Sequence, residues 1–64
     1  MNGQKGDFIA LSVTQAAALL GVSRPTVYQL MNRADFPSFR IGARRLISRA
    51  GLERWVQEQA ERGA

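Results

Sequence analysis

The stretch Ser12–Arg33, S-V-T-Q-A-A-A-L-L-G-V-S-R-P-T-V-Y-Q-L-M-N-R, narrows the fold more than any other part of the chain. Ser12 and Gln15 form the pattern S-x-x-Q, in which each side chain answers a free backbone N–H of a helix start. A first helix is therefore expected over Val13–Leu20, burying Val13, Ala16, Ala17 and Leu20. Gly21 follows, able to take the positive φ of a tight inter-helix turn. Ala17, four residues earlier, is small enough to let a second helix cross closely. Val22 is expected to drop into the core, and Ser23 to cap a second helix over Arg24–Arg33. Pro25 sits in that helix's first turn, where a missing N–H costs nothing. At about 100° per residue, Val27, Leu30 and Met31 share one arc. Leu19 falls off the first helix's stripe and is either a partly covered satellite of the core or a contact for another protein.

The chain has 64 residues, with no cysteine and no histidine. Disulfides and a structural zinc site are excluded, and no metal or cofactor is expected. One small domain must hold itself together with apolar side chains, which make up 45% of the sequence. Residues 1–7 read as a flexible tail, residues 8–61 as the domain, and residues 62–64 as a frayed end. Phe8–Leu11 is a short apolar segment that can lie extended along the core. Ala34–Pro37 is a turn, because Pro37 ends a helix and holds Phe36 extended. Ser38–Ile41, a loop at Gly42–Arg44, and Arg45–Ile47 read as a β-hairpin, which must lean on the helices to be stable. Ser48 caps a third helix over Arg49–Glu61 with an apolar stripe of Leu52, Trp55 and Val56. Trp55 is the large residue expected to close the core.

Charge is unevenly placed. Residues 24–49 carry Arg24, Arg33, Arg40, Arg44, Arg45 and Arg49 against Asp35 alone, a net +5 within a chain of net +4. An arginine-only positive middle suits a polyanion, because guanidinium forks match phosphate oxygens and guanine edges. The outer arc of the second helix presents Pro25, Tyr28, Gln29 and Asn32, flanked by Arg24 on one side and by Thr26 and Arg33 on the other, with no acidic residue. Arg49 lies in the first turn of the third helix, where a cation opposes the helix dipole, which suggests a role on a phosphate. Nothing resembles catalytic machinery: there is no Cys or His, no carboxylate pair in an apolar setting and no phosphate loop, so no enzyme is expected. No apolar run nears the roughly 18 residues of a membrane span, and no signal peptide is evident, so a cytoplasmic protein is expected.

Helix, turn, helix, arginine-tipped hairpin and Trp-bearing helix, in that order, make a mostly α chain with a small β-hairpin: a winged helix-turn-helix. The pieces L-S-V-T-Q-A-A-A-L-L-G-V-S-R-P-T-V-Y from Leu11, F-P from Phe36, R-I-G-A-R-R from Arg40 and L-E-R-W from Leu52 resemble the excisionase family and its MerR-like relatives. The resemblance covers about residues 11 to 57. Small AlpA-type phage regulators share the same pieces. Two departures stand out: Ala34 replaces a glycine often found after the recognition helix, and Ala50-Gly51 replaces acidic residues often found at the start of the last helix.

The resemblance implies double-stranded DNA as partner, with the second helix in the major groove and the wing on an adjacent minor groove or backbone. The residue chemistry agrees. Arg24 matches guanine O6 and N7, and Gln29 matches adenine. Ser23, Thr26, Tyr28, Asn32 and Arg33 suit phosphates, which position without specifying. Arg44 and Arg45 suit a narrow minor groove, with Arg40 beside them. Arg44 and Arg45 are expected to share one side of the molecule with Arg24. Other roles stand beside these: Ser23 as a cap only, Tyr28 packed beside the turn, Arg40 paired with Asp35 or Glu53. The implied function is that of an excisionase, binding repeated sites beside copies of itself, bending DNA and directing a tyrosine or serine integrase toward excision. The alternatives are a small phage or plasmid transcriptional regulator, and a protein-interaction module that kept only the fold.

Overall fold

A computed structural model describes residues 8–63. The tail expected over residues 1–7 lies outside them. The elements are β1 (Ala10–Leu11), α1 (Val13–Leu20), α2 (Arg24–Leu30), β2 (Ser38–Ile41), β3 (Arg44–Ser48) and α3 (Arg49–Gly63). The winged helix-turn-helix expected from the sequence is the fold observed.

Both caps of α1 form as their residues dictate. Ser12 accepts the Gln15 N–H at 3.1 Å, and Gln15 Oε1 accepts the Ser12 N–H at 2.9 Å. Gly21 closes the helix at φ 75°, a conformation that costs glycine little. The Ala17 carbonyl accepts from both Gly21 N–H (2.8 Å) and Val22 N–H (3.1 Å). That tight turn keeps Val22 at the domain's edge. Val22 is 39% exposed and does not drop into the core as expected.

Helix α2 ends three residues earlier than expected. Met31 is its C-cap, and Asn32 and Arg33 donate to Gln29 and Leu30 carbonyls, bonds that span three residues and tighten the chain out of the helix. Ala34 keeps a negative φ, so this turn has no need of the glycine that relatives often carry. The turn delivers Phe36 into the core, where it is 4% exposed.

The expected hairpin is part of a three-stranded antiparallel sheet of order β1-β3-β2. The segment before α1 supplies the third strand, with Leu11 opposite Ile47. The loop is two residues, Gly42-Ala43, and Arg44 belongs to β3 opposite Ile41. Gly42 takes φ 59° and Ala43 does not, the pattern of a type II′ turn. Residues paired across strands share a face. Leu11, Ile47, Ser38, Arg40 and Arg45 therefore lie on the inner face, and Ala10, Ser48, Phe39, Leu46, Ile41 and Arg44 on the outer one.

Leu11, Ala16, Ala17, Val27, Met31, Phe36, Ile47 and Leu52 form the core, with Val13, Leu20, Leu30 and Trp55 packed against it. Ser48 caps α3 by accepting the Gly51 N–H at 3.0 Å. Gly51 is demanded by space: a Cβ there would lie 2.7 Å from Pro37 Cβ. The second departure from the relatives thus has a packing reason. The stripe of α3 is narrower than expected, since Leu52 is buried but Val56 is 40% exposed. The helix also continues to Gly63, past the expected end at Glu61.

Candidate nucleic-acid interface

The first four positions of α2 set the geometry of its exposed face. Ser23 is the N-cap, accepting the Thr26 N–H at 3.3 Å, and its hydroxyl lies 2.9 Å from that of Thr26. Pro25 follows in the first turn without wasting a donor. Val27 and Met31 are buried, which turns Arg24, Tyr28 and Gln29 outward. Tyr28 is 52% exposed, so about half of it is open to solvent on this face. Asn32 and Arg33, expected on this helix, stand in the turn after it.

Arg33 is held from within. Its Nε and Nη2 donate to Asp35 Oδ1 and Oδ2, both at 2.9 Å, and its guanidinium lies 5.7 Å from the Trp55 ring centroid. Trp55 Nε1 also donates to Asp35 at 3.2 Å, and the indole meets Phe36 edge-on with centroids 5.0 Å apart. Trp55 therefore closes the domain from its rim. The Arg33 hydrogen bonds, followed by that from Trp55, hold the Asp35 carboxyl below the ordinary carboxylate range. Arg33 was expected on phosphate; here it is a strut between the turn after α2 and α3.

The wing arginines divide. Arg40 and Arg45 are opposite one another on the inner face, and Arg45 Nη2 donates to the Met31 carbonyl at 3.3 Å. A guanidinium at the C-terminal end of α2 satisfies an orphan carbonyl and complements the helix dipole. Arg44 leaves the strand on the outer face with Ile41. The expectation that Arg44 and Arg45 grip from the same side as Arg24 is corrected: a one-residue step along a strand reverses the side chain. Arg40 takes neither Asp35, which Arg33 holds, nor Glu53, which Arg49 approaches at 3.5 Å. Arg24, Arg40 and Arg44 form no ion pair among the described residues. Arg49, considered for a phosphate, lines a groove between α1 and α3 with Leu19, Leu20, Leu52, Glu53 and Val56.

No cluster of His, Cys, Asp or Glu suited to a metal ion occurs among the described residues, nor any helix long and apolar enough to cross a membrane. What the surface does offer is a short helix with outward Arg24, Tyr28 and Gln29, and a wing fastened to that helix's end.

Such an arrangement defines a winged helix-turn-helix of the DNA-binding class. The family model described as Helix-turn-helix domain matches residues 10–60, and the chain belongs to that family. No curated protein and no solved structure matches the chain.

Proposed function

We propose that this protein is an excisionase-type DNA-binding factor, which binds duplex DNA at repeated sites, bends it and directs a tyrosine or serine integrase toward excisive recombination. The observation that carries the DNA-reading part is that two exposed guanidinium groups form no ion pair among the described residues, Arg24 on the open arc of α2 and Arg40 on the wing face that meets α2's end. One reaches a major groove while the other lies over the neighbouring backbone or minor groove. Arg24 reads guanine and Gln29 reads adenine. Ser23, Thr26, Tyr28 and Asn32 fix the register on phosphates. The excisionase part is supported by the Leu11–Tyr28, Arg40–Arg45 and Leu52–Trp55 motifs.

A domain with so few phosphate contacts binds one isolated site weakly, near the roughly 10⁻⁴–10⁻⁶ M of non-specific binding. Useful occupancy then comes from neighbouring copies and from the integrase. The test is a recombination assay with a candidate integrase, if one is encoded beside the gene, run with and without the protein, alongside circular-permutation gel shifts for bending. Stimulated excision with bent complexes supports the reading. Specific DNA binding that leaves recombination unchanged and alters a nearby promoter instead identifies a small transcriptional regulator.

A further inference from the structure

Residues 24–49 carry six arginines and one acid, Asp35. Both oxygens of that acid are engaged. Oδ1 accepts from Arg33 Nε, and Oδ2 accepts from Arg33 Nη2 and from Trp55 Nε1. The side-on edge of the guanidinium, a fork that suits a phosphate, is therefore occupied by a carboxylate. The Trp55 ring flanks the same guanidinium at 5.7 Å. Burial does not force the pairing, since the side chains of Arg33 and Asp35 are 48% and 43% exposed. Arg33 also stands in the turn that joins α2 to the wing, the two elements proposed to lie on DNA. Without Asp35 it would be one more free guanidinium there.

We propose that Asp35 withholds Arg33 from the DNA backbone and so holds down the affinity of the protein for duplex of any sequence. The carboxylate sits where a phosphate would sit. Exchanging the two trades one forked anion for another, so the guanidinium gains little. The exchange also gives up the contacts with Trp55. It leaves Asp35 as an unpaired anion beside a row of phosphates, where like charges repel. All three effects act against release, so the pair stays shut on DNA. The N–H groups that Arg33 has left belong to a pair of zero net charge, which neutralises no phosphate and releases no counterion. Asp35 thus removes one sequence-blind contact and leaves the base-reading residues of α2 untouched. This inference rests on the DNA binding proposed above and gives Asp35 a part in it.

Each phosphate contact adds about 0.9 to the slope of log affinity against log salt, a roughly 3- to 4-fold loss of affinity between about 50 and 200 mM. The wild type and its variants are titrated across that range with a fluorescent duplex of mixed sequence. Asp35→Asn and Asp35→Ala are expected to bind tighter and to steepen the slope by about 0.9. Glu58→Gln makes the same change of charge at an exposed position of α3 and is expected to leave the slope unchanged. Arg33→Met is expected to keep the wild-type slope, and Asp35→Asn added to it is expected to change nothing further. Circular dichroism checks that each variant is folded; where the Asp35 variants are not, the Arg33→Met slope decides alone. An Arg33→Met slope shallower by about 0.9 puts Arg33 on a phosphate already and overturns the inference. An Asp35→Asn slope no steeper than that of Glu58→Gln overturns it as well, and both results leave the DNA reading standing. Failure of the wild type to bind any duplex at low salt overturns the DNA reading, and this inference with it.

Discussion

The guanidinium of Arg45 donates to the carbonyl oxygen of Met31 at 3.3 Å, joining the wing to the end of α2. Arg45→Met keeps an unbranched apolar stem and removes this bond. A cation at a helix C-terminus contributes about 0.3–1 kcal/mol, so a loss of that size is expected in urea denaturation. Binding to DNA should fall further than stability does, because the wing loses its fixed position.

Gly51 lies against the ring of Pro37, where an added methyl would come to 2.7 Å of Cβ. Gly51→Ala should therefore destabilise by about 1–3 kcal/mol, even though alanine is the better helix former by roughly 1 kcal/mol. Gly63→Ala, with nothing within 4 Å, should be neutral or slightly stabilising. Chemical denaturation of the two variants side by side checks this.

Asp35 accepts hydrogen bonds from Arg33 and Trp55, and its carboxyl is held below the ordinary range. A carboxyl lowered by folding adds stability that is complete above its unfolded value, near pH 4, and that disappears as pH falls through the lower folded value. Stability of the wild type should thus decline on the acid side of about pH 4. Asp35→Asn should be less stable at neutral pH and show a shallower acid limb in thermal melts taken across pH 2–7.

Arg24→Ala should cost roughly 1–3 kcal/mol on the preferred duplex and relax discrimination at one base position, if base reading is its role as proposed. Arg40→Ala should weaken binding evenly across sequences and lower the salt slope by about one. Titrations by fluorescence anisotropy at several salt concentrations separate the two. Equal sequence-independent losses for both variants would contradict the assignment of Arg24.

Features set by neighbours in the chain were legible in the sequence. The caps at Ser12, Ser23 and Ser48 each need only a side chain and an N–H three residues on, and all three form. The positive φ of Gly21 is equally local. What escaped depends on distant partners. Arg33 reads as one more free arginine until folding brings Asp35 and Trp55 against it. The side on which Arg44 emerges depends on a hairpin register shifted by one residue from the expected loop, and that shift reverses it relative to Arg45. A signal for Arg33 was present all the same: Asp35, the lone acid of the central segment, stands two residues away. The extended segment before α1 was legible as an apolar run over Phe8–Leu11, but its pairing with β3 was not, since two residues carry no readable alternation.

The mooring of the wing at both ends has a consequence for whatever it touches. Arg45 fastens the hairpin to α2, while the Pro37 carbonyl accepts the Ser48 N–H at 2.8 Å and closes its base. Both bonds oppose a swing of the hairpin against α2. If the protein grips DNA as proposed, the hairpin's separation from α2 is largely set before any duplex arrives, and a mismatch in groove spacing falls mainly on the nucleic acid. The protein then behaves as a caliper, and pliant base steps are the ones it should favour.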